Sequence, residues 1–285
     1  MAAEGQVRAG IYERDLVFTD GDFDFIRRVV VEQTGITLSE QKRELVYGRL
    51  AKRLRALDLQ SFAQYCSYLE QSPDELHELV NAITTNLTSF FREPYHFDYL
   101  RETLLPELLR RNAQSHRIRI WSAGCSTGEE PYSIAMVLRD MLPAGQGWDA
   151  KILATDIDSN VLARAQQGLY AQERASSVPE RYQRRGLHKG QGDNAGMLRV
   201  SDEVRALITF RQLNLMQDWP MKGPFDVIFC RNVVIYFDKP TQRRLFNRYA
   251  DLLVDGGHLF IGHSETLFKV CDRFTLIGRT IYRKL

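Results

Sequence analysis

The stretch Ile118 to Tyr132, IRIWSAGCSTGEEPY, constrains this chain more than any other. A β-branched and aromatic run (Ile118, Ile120, Trp121) stops at Ser122-Ala123-Gly124. A loop of small residues follows, and a helix-like run takes over from Glu130 to Leu138. Strand, glycine-bearing turn and helix in that order make the first unit of a nucleotide-binding α/β fold. Glycine lets such a backbone come close to a ligand. The dinucleotide fingerprint GxGxxG is not met, because Ser126 stands where a middle glycine belongs between Gly124 and Gly128. Glu129 and Glu130 come next. Acids suit a helix N-terminus but repel a pyrophosphate bound there. The loop therefore fits a cofactor with a cationic amine or sulfonium, against the plainer alternative of a solvated acidic cap.

A chain of 285 residues has room for roughly one to two domains with a sizeable core. Its 44% hydrophobic and 26% charged residues are those of an ordinary soluble globular protein. The formal charge of +2 lends no support to a nucleic-acid partner. No apolar run approaches the ~18 residues that span a bilayer, and the opening MAAEGQVRAGIYERD lacks the apolar segment of a signal peptide. Cys66, Cys125, Cys230 and Cys271 show no metal-ligand spacing. They are expected to be reduced thiols of a cytoplasmic protein without a metal. Cys125 has no histidine near it in sequence, so packing among small residues is the better reading for it than nucleophilic attack.

Residues 1–18 have no clear period and are expected to form a loose arm. From Asp20 to about Asn86 the period is helical. Phe23, Ile26, Val30 and Val31 share a face of a first helix ending near Gly35. A second helix is expected from Ser39, as N-cap, to Leu57, with Val46, Leu50, Leu54 and Leu57 as its apolar stripe. Ser61 and Asp74 open two shorter helices, Phe62–Leu69 and Glu75–Ile83. Lys42, Arg49, Lys52, Arg53 and Arg55 make the second helix strongly basic, with Glu44 among them. That is either a solvated face or a docking surface for an acidic partner.

Between this helical region and the first strand lies Asn86-Leu87-Thr88-Ser89-Phe90-Phe91-Arg92-Glu93-Pro94. Pro94 suits the first turn of a helix running from Tyr95 to Arg111. Asn86, Thr88 and Arg92 place three polar groups on a segment that must pass the cofactor face, whereas Phe90 and Phe91 can serve as hinge packing. A second strand, Lys151–Thr155, ends at Asp156, about 30 residues past Gly124, where an acid can bind a ribose diol. Asp158 reads as the cap of the helix Asn160–Gln166. The strand–helix alternation breaks over residues 169–207, which reads as an inserted short helix and hairpin on the sheet edge. It resumes with Ile208–Leu213, Phe225–Cys230, the helix Thr241–Val254 and the strand His258–Ile261, with Asp255-Gly256-Gly257 as the turn between the last two. Two antiparallel strands, Phe274–Ile277 and Thr280–Arg283, end the chain.

Four segments in register carry a resemblance: Asn86-x-Thr88-x-Phe90-Phe91-Arg92-Glu93, then Ala123-x-x-Ser126-Thr127-Gly128-Glu129-Glu130-Pro131-Tyr132-Ser133, Asp156-Ile157-Asp158, and Cys230-Arg231-Asn232-Val233-x-Ile235-Tyr236-Phe237. Over nearly its whole length the chain resembles the CheR family of chemoreceptor glutamate methyltransferases, which use S-adenosylmethionine to esterify receptor glutamates. The resemblance implies a Rossmann-like S-adenosylmethionine methyltransferase sheet (residues 89–285), a small N-terminal all-helical domain with its linker (1–88) and an inserted β-subdomain (169–207).

It also implies roles. Asn86, Thr88 and Arg92 would contact the methionine end of the cofactor, and Gly124 would let the backbone approach it. Glu129 or Glu130 would hold its amino group, with Glu130 the first choice. Asp156 would bind the ribose hydroxyls, Asn214 and Leu215 would flank the adenine, Arg231 and Asn232 would line the pocket, and Tyr236 would lie near the transferred methyl. Lys42, Arg49, Lys52 and Arg53 would dock on the receptor's acidic helices. In some members the β-subdomain grips a peptide at the receptor's C-terminal tail. The loop Gly186–Gly196 here is longer and richer in glycine than in those members, so a tail peptide at the β-subdomain stays an open alternative for this chain.

A glutamate acceptor, with a pKa of ~4.3, is already an ionised nucleophile at neutral pH, so no general base is needed. The expected work of the protein is in-line alignment, exclusion of water and charge balance, with Arg92 and Tyr236 at the reacting groups. The product would be S-adenosylhomocysteine and the chain a monomer. Two rivals are a methyltransferase for another carboxylate acceptor and a non-catalytic S-adenosylmethionine-binding module of a receptor array. No role follows from sequence for His188, His258 or His263-Ser264-Glu265.

Overall fold

The structure is a computed structural model that describes residues 16–285; all but the last residues of the expected arm lie outside the described residues. It begins with helices α1 (Asp20–Thr34), α2 (Arg43–Ala56), α3 (Phe62–Gln71) and α4 (Pro73–Ile83). The chain forms two compact units, one running to Val29 and resuming over Leu38–Ile83, the other made of Val30–Thr37 and Thr84–Leu285.

In α1, Phe23, Ile26 and Val30 are buried, while Val31 is 38% exposed and so does not share their face. Helix α2 buries Val46, Leu50 and Leu54, spaced four apart as an α-helical stripe requires. Its start differs from expectation. A single 3₁₀ turn, Glu40–Lys42, precedes it, and Ser39 makes no side-chain cap bond. Ser61 does cap α3, accepting from the Gln64 N–H at 3.3 Å. Glu75 of α4 is buried, takes both arms of Arg53 (2.8 and 2.6 Å) and accepts from the Tyr65 hydroxyl at 2.9 Å.

The second unit opens with α5 (Tyr95–Tyr99) and α6 (Leu105–Arg111), joined by one wide π turn, Leu100–Leu104. Pro106 lacks the N–H that would continue an α ladder, and the helix is widened immediately ahead of it. Then follow β1 (Arg117–Ala123), α7 (Glu129–Met141), β2 (Asp149–Asp156), α8 (Ser159–Gln167), β3 (Leu169–Ala171), α9 (Glu180–Gly186), β4 (Leu187–Lys189), β5 (Met197–Val200), α10 (Asp202–Arg205), β6 (Ile208–Gln212), β7 (Phe225–Cys230), α11 (Lys239–Leu252), β8 (Leu253–Ile261), β9 (Phe274–Gly278) and β10 (Ile281–Lys284).

Seven of these strands form one sheet in the order β6-β2-β1-β7-β8-β10-β9, parallel except for β10, which runs antiparallel to both its neighbours. Its two faces are buried separately. Ile118 and Ile120 of β1 pack with α7 residues such as Ile134 and Leu138. Trp121, Ile228 and Leu259 pack with Leu245, Phe246 and Tyr249 of α11. Two expectations are corrected. The short helix and hairpin expected of the insertion are α9 and β4–β5, but they join β3 in a separate antiparallel sheet, β3-β5-β4, and not the edge of the large one. Asp255-Gly256-Gly257 is not a turn, because α11 runs straight into β8 and the glycines lie within that strand, where its register with β7 shifts between Phe225 and Val227. A Cβ on Gly257 would come within 2.8 Å of the Val254 carbonyl oxygen, so the irregular strand needs glycine there.

The strand order reverses direction between β1 and β7. In open α/β sheets the crevice beyond the carboxyl ends of such strands is where ligands bind. Here that crevice is framed by the loops after β1, β2 and β7.

Candidate active site

The loop after β1 is shaped by its glycines and pinned on two sides. Gly124 has φ +87°, and a Cβ there would fall 2.4 Å from Val233 Cγ2. Gly128 has φ +97°, starts α7, and would collide with the Tyr170 hydroxyl at 2.9 Å. The Gly124 and Cys125 N–H groups donate to the Thr155 carbonyl at 2.8 and 2.9 Å. Between them and Gly128, the Ser126 N–H donates to Asp156 Oδ2 at 2.8 Å and its hydroxyl donates to the Asn86 carbonyl at 2.8 Å. Sequence segments 30 and 40 residues away are thus drawn to the loop.

The two acids diverge. Glu129 has no exposed surface; it accepts from Thr127 Oγ1 at 2.7 Å and pairs with Arg174 of the inserted subdomain. Glu130 accepts from Ser122 Oγ at the end of β1 (2.7 Å) and from Arg231 at the end of β7 (3.2 Å), so its carboxylate lies at the switch point. Burial raises its pKa against the pull of Arg231. Burial likewise pushes the Asp156 carboxyl up to about 6, although backbone N–H groups of Asp158 and Ser126 donate to it. Asp158 caps α8 through Oδ1, at 2.9 Å from the Asn160 N–H. Its Oδ2 accepts from Thr84 Oγ1 at 2.8 Å and from the Asn86 amide at 2.7 Å.

The segment before α5 is bent twice into the left-handed region, at Phe91 (φ +52°) and Glu93 (φ +58°). Such conformations cost a non-glycine residue roughly 1–2 kcal/mol each. Burial of the two aromatics opposes that cost. Phe90 meets the Tyr170 ring edge-on at 4.9 Å and Phe91 stacks on Tyr182 at 5.1 Å. Between the bends Arg92 stays partly exposed and donates to the Leu87 carbonyl at 2.9 Å. Thr88 is partly buried in the same extended run.

Arg231 is the hub. Its side chain is 2% exposed. It reaches Glu130 and Glu93 at 3.2 Å each, donates to the Arg92 carbonyl, and lies 5.7 Å over the Phe97 ring. Burial would raise Glu93, but the Arg231 guanidinium and two donors from His263, the backbone N–H at 3.2 Å and Nδ1 at 3.0 Å, hold it at about 2. The next residue, Asn232, has φ +58°. Its loop is gathered by Glu265, which is 5% exposed and accepts the N–H groups of Asn232 (3.0 Å), Val234 (2.9 Å) and Gly262 (2.5 Å).

Asn86, Gly124, Glu130, Asp156, Arg231 and Asn232 therefore come together at the ends of β1, β2 and β7. Tyr236 is partly buried in a 3₁₀ turn whose carbonyl accepts the Thr37 N–H at 2.8 Å. The Asn214 amide donates to the Gln33 carbonyl at 2.6 Å, and Leu215 beside it is partly buried. In the helical unit Arg49 donates to the Ile83 carbonyl at 2.5 Å, Arg53 holds Glu75, Lys42 is partly buried and Lys52 is exposed. Arg174, His263 and Glu265 have no assigned role in the sequence reading. Glu265 has one sequence cue: an acid placed just past an apolar strand end, between Gly262 and Leu267. Among the described residues no group of three or more His, Cys, Asp or Glu could hold a metal.

The donor set fits S-adenosylmethionine. The crevice offers a carboxylate for an ammonium and another for a diol, while its guanidinium is occupied by two acids and is not free for a phosphate. The family model for the CheR methyltransferase all-alpha domain matches residues 21–84, and that for the CheR methyltransferase, SAM binding domain, matches residues 86–283. The chain is 48% identical to chemotaxis protein methyltransferase 2 of Pseudomonas aeruginosa, covering 93% of each chain. It is 45% identical to a probable chemotaxis protein methyltransferase of Rhizobium etli, covering 90% of this chain and 96% of that one. It is 43% identical to the chemotaxis protein methyltransferase of Escherichia coli, covering 94% and 92%. S-adenosylmethionine is thus the cofactor, bound by a Rossmann-like domain that follows an all-helical one, and the chain belongs to the CheR methyltransferase family.

Proposed function

We propose that this chain transfers the methyl group of S-adenosylmethionine to glutamate side chains of chemotaxis receptors in the cytoplasm. The observation that carries the reading is the Glu130 carboxylate on Ser122 of β1 beside Asp156 at the end of the adjacent strand β2, inside a family whose relatives are named chemotaxis methyltransferases. When bound, the cofactor supplies an activated methyl on a sulfonium and leaves as S-adenosylhomocysteine. Glu130 holds the amine, since its carboxylate faces the switch point; Glu129, sealed against Thr127 and Arg174, braces the start of α7. Asp156 takes the ribose diol. Asn86, Thr88 and Arg92 border the methionine end, Gly124 admits the backbone close to it, Asn214 and Leu215 flank the base, and Arg231 and Asn232 close the pocket.

The acceptor carboxylate arrives ionised and needs no base. Arg92 and Tyr236 orient it, and its neutralisation by methylation is favoured in a site from which water is excluded. Receptor docking rests on the basic helix, Lys42, Arg49, Lys52 and Arg53, of which Arg49 and Arg53 also hold carbonyl and carboxylate groups of their own unit. The test is radiolabelled S-adenosylmethionine with receptor-bearing membranes. Base-labile label that disappears when the receptor glutamates are changed to alanine supports the reading. Label on a small carboxylate, or cofactor binding with no transfer, replaces it.

A further inference from the structure

The seven-stranded sheet ends at β9, whose outer edge pairs with no strand among the described residues. Exposed edges are normally blunted by charge or proline, because they invite another strand. β9 reads FTLIG and has neither, its one irregularity being a register shift against β10 at Ile277. Leu276 and Ile277 are 59% and 40% exposed, so the edge carries two open apolar side chains.

A groove of about 640 Å³ runs beside this edge, between α11 and the turn Thr266–Cys271. Leu267, Val270 and Phe274 form its buried floor, and Phe268, 73% exposed, stands on its rim. The Lys269 ammonium lies 5.3 Å from the Phe268 ring. Arg243 donates to the Val270 carbonyl at 3.2 Å, which ties α11 to the turn. A second depression continues from the same rim and adds Lys239 and Arg244. The charge is one-sided: Lys239, Arg243, Arg244 and Lys269 line the two depressions against Asp272 alone.

We infer that β9 and this groove bind an extended acidic segment of a partner protein, added as a strand to the sheet edge. Backbone pairing along β9 supplies the geometry, alternate side chains of the segment supply specificity, and an apolar one seats between Phe268 and Leu276. Its acidic residues meet the four cations, which steer its approach. None of these residues belongs to the cofactor crevice, so the surface is separate from methyl transfer.

The experiment uses the full chain and a fluorescein-labelled peptide in which glutamate alternates with leucine, beside a counterpart with lysine in place of glutamate. Anisotropy should show binding of the glutamate peptide and not of the lysine one, and hydrogen exchange should slow in β9. Lys269→Glu and Leu276→Glu, both at exposed positions, should each weaken binding by about tenfold or more while leaving thermal stability and methyl transfer unchanged. Equal binding of both peptides, no binding, or protection away from β9 would overturn the inference. So would self-association of the chain that Leu276→Glu abolishes, since a second copy would then cover the edge.

Discussion

Arg231 lies buried between Glu93 and Glu130, and the Arg92 carbonyl accepts from it. That arrangement links the acid assigned to the cofactor amine with the segment that carries Arg92. Arg92→Ala removes a partly exposed side chain with one bond to a neighbouring carbonyl, so transfer should fall by about a hundredfold, the scale of losing one preorganised donor, with the melting temperature unchanged. A wild-type turnover number at equal stability would remove Arg92 from the mechanism. Asp156 gives a pH test. Its carboxyl stands at about 6, and only the ionised form accepts from both ribose hydroxyls. Cofactor affinity should therefore hold above pH 6 and weaken as pH falls through it, and calorimetry on Asp156→Asn should show a weak affinity without that pH step. Glu265→Gln leaves one carbonyl oxygen for three N–H donors and sets an amide against the rest; a loss of about 1–3 kcal/mol follows, read by denaturant titration, together with weaker cofactor binding.

At this scale the sequence showed the residues that form local motifs. Gly124, Glu130 and Asp156 stand at fixed places relative to a strand end, where the strand–turn–helix pattern makes them visible. Arg174 and Glu265 could not be read this way. Arg174 matters through a partner 45 residues away and Glu265 through N–H groups more than 30 residues away, separations for which periodicity carries no signal.

Among the elements, the helical unit depends on one ion pair. Glu75 is buried and its carboxylate takes both arms of Arg53. Removing one partner of such a pair leaves a buried charge, so Arg53→Ala should cost about 3 kcal/mol, while Lys52→Ala, at an exposed position, should leave stability unchanged. Equal melting temperatures for the two variants would contradict this division between structural and docking cations. Most elements were legible because the hydrophobic period switches cleanly between helix and strand. The π turn ahead of Pro106 was not, since one missing donor can be absorbed without breaking the apolar stripe. The Asp255-Gly256-Gly257 run was misread because glycine marks both turns and irregular strands, and only pairing with β7 distinguishes them. The inserted subdomain was recognised as a break in alternation, but its closure into a separate sheet depends on pairing β3 with β5 across a loop.

The whole molecule is a helical unit and a sheet domain whose last hairpin places an antiparallel β10 between β8 and β9. No helix among the described residues is long and apolar enough to cross a membrane. Its family supplies the cofactor, and its crevice supplies acids where a cationic amino-acid cofactor needs them. The central claim is that the methyl ends on receptor glutamates without help from a base. Mass-spectrometric mapping of a receptor's cytoplasmic helices after reaction with isotopically labelled cofactor tests this most directly. Methyl esters are expected on glutamate side chains, present with the wild-type chain and strongly reduced with Arg92→Ala. Methyl groups on lysine or cysteine, or on no receptor residue at all, would contradict it.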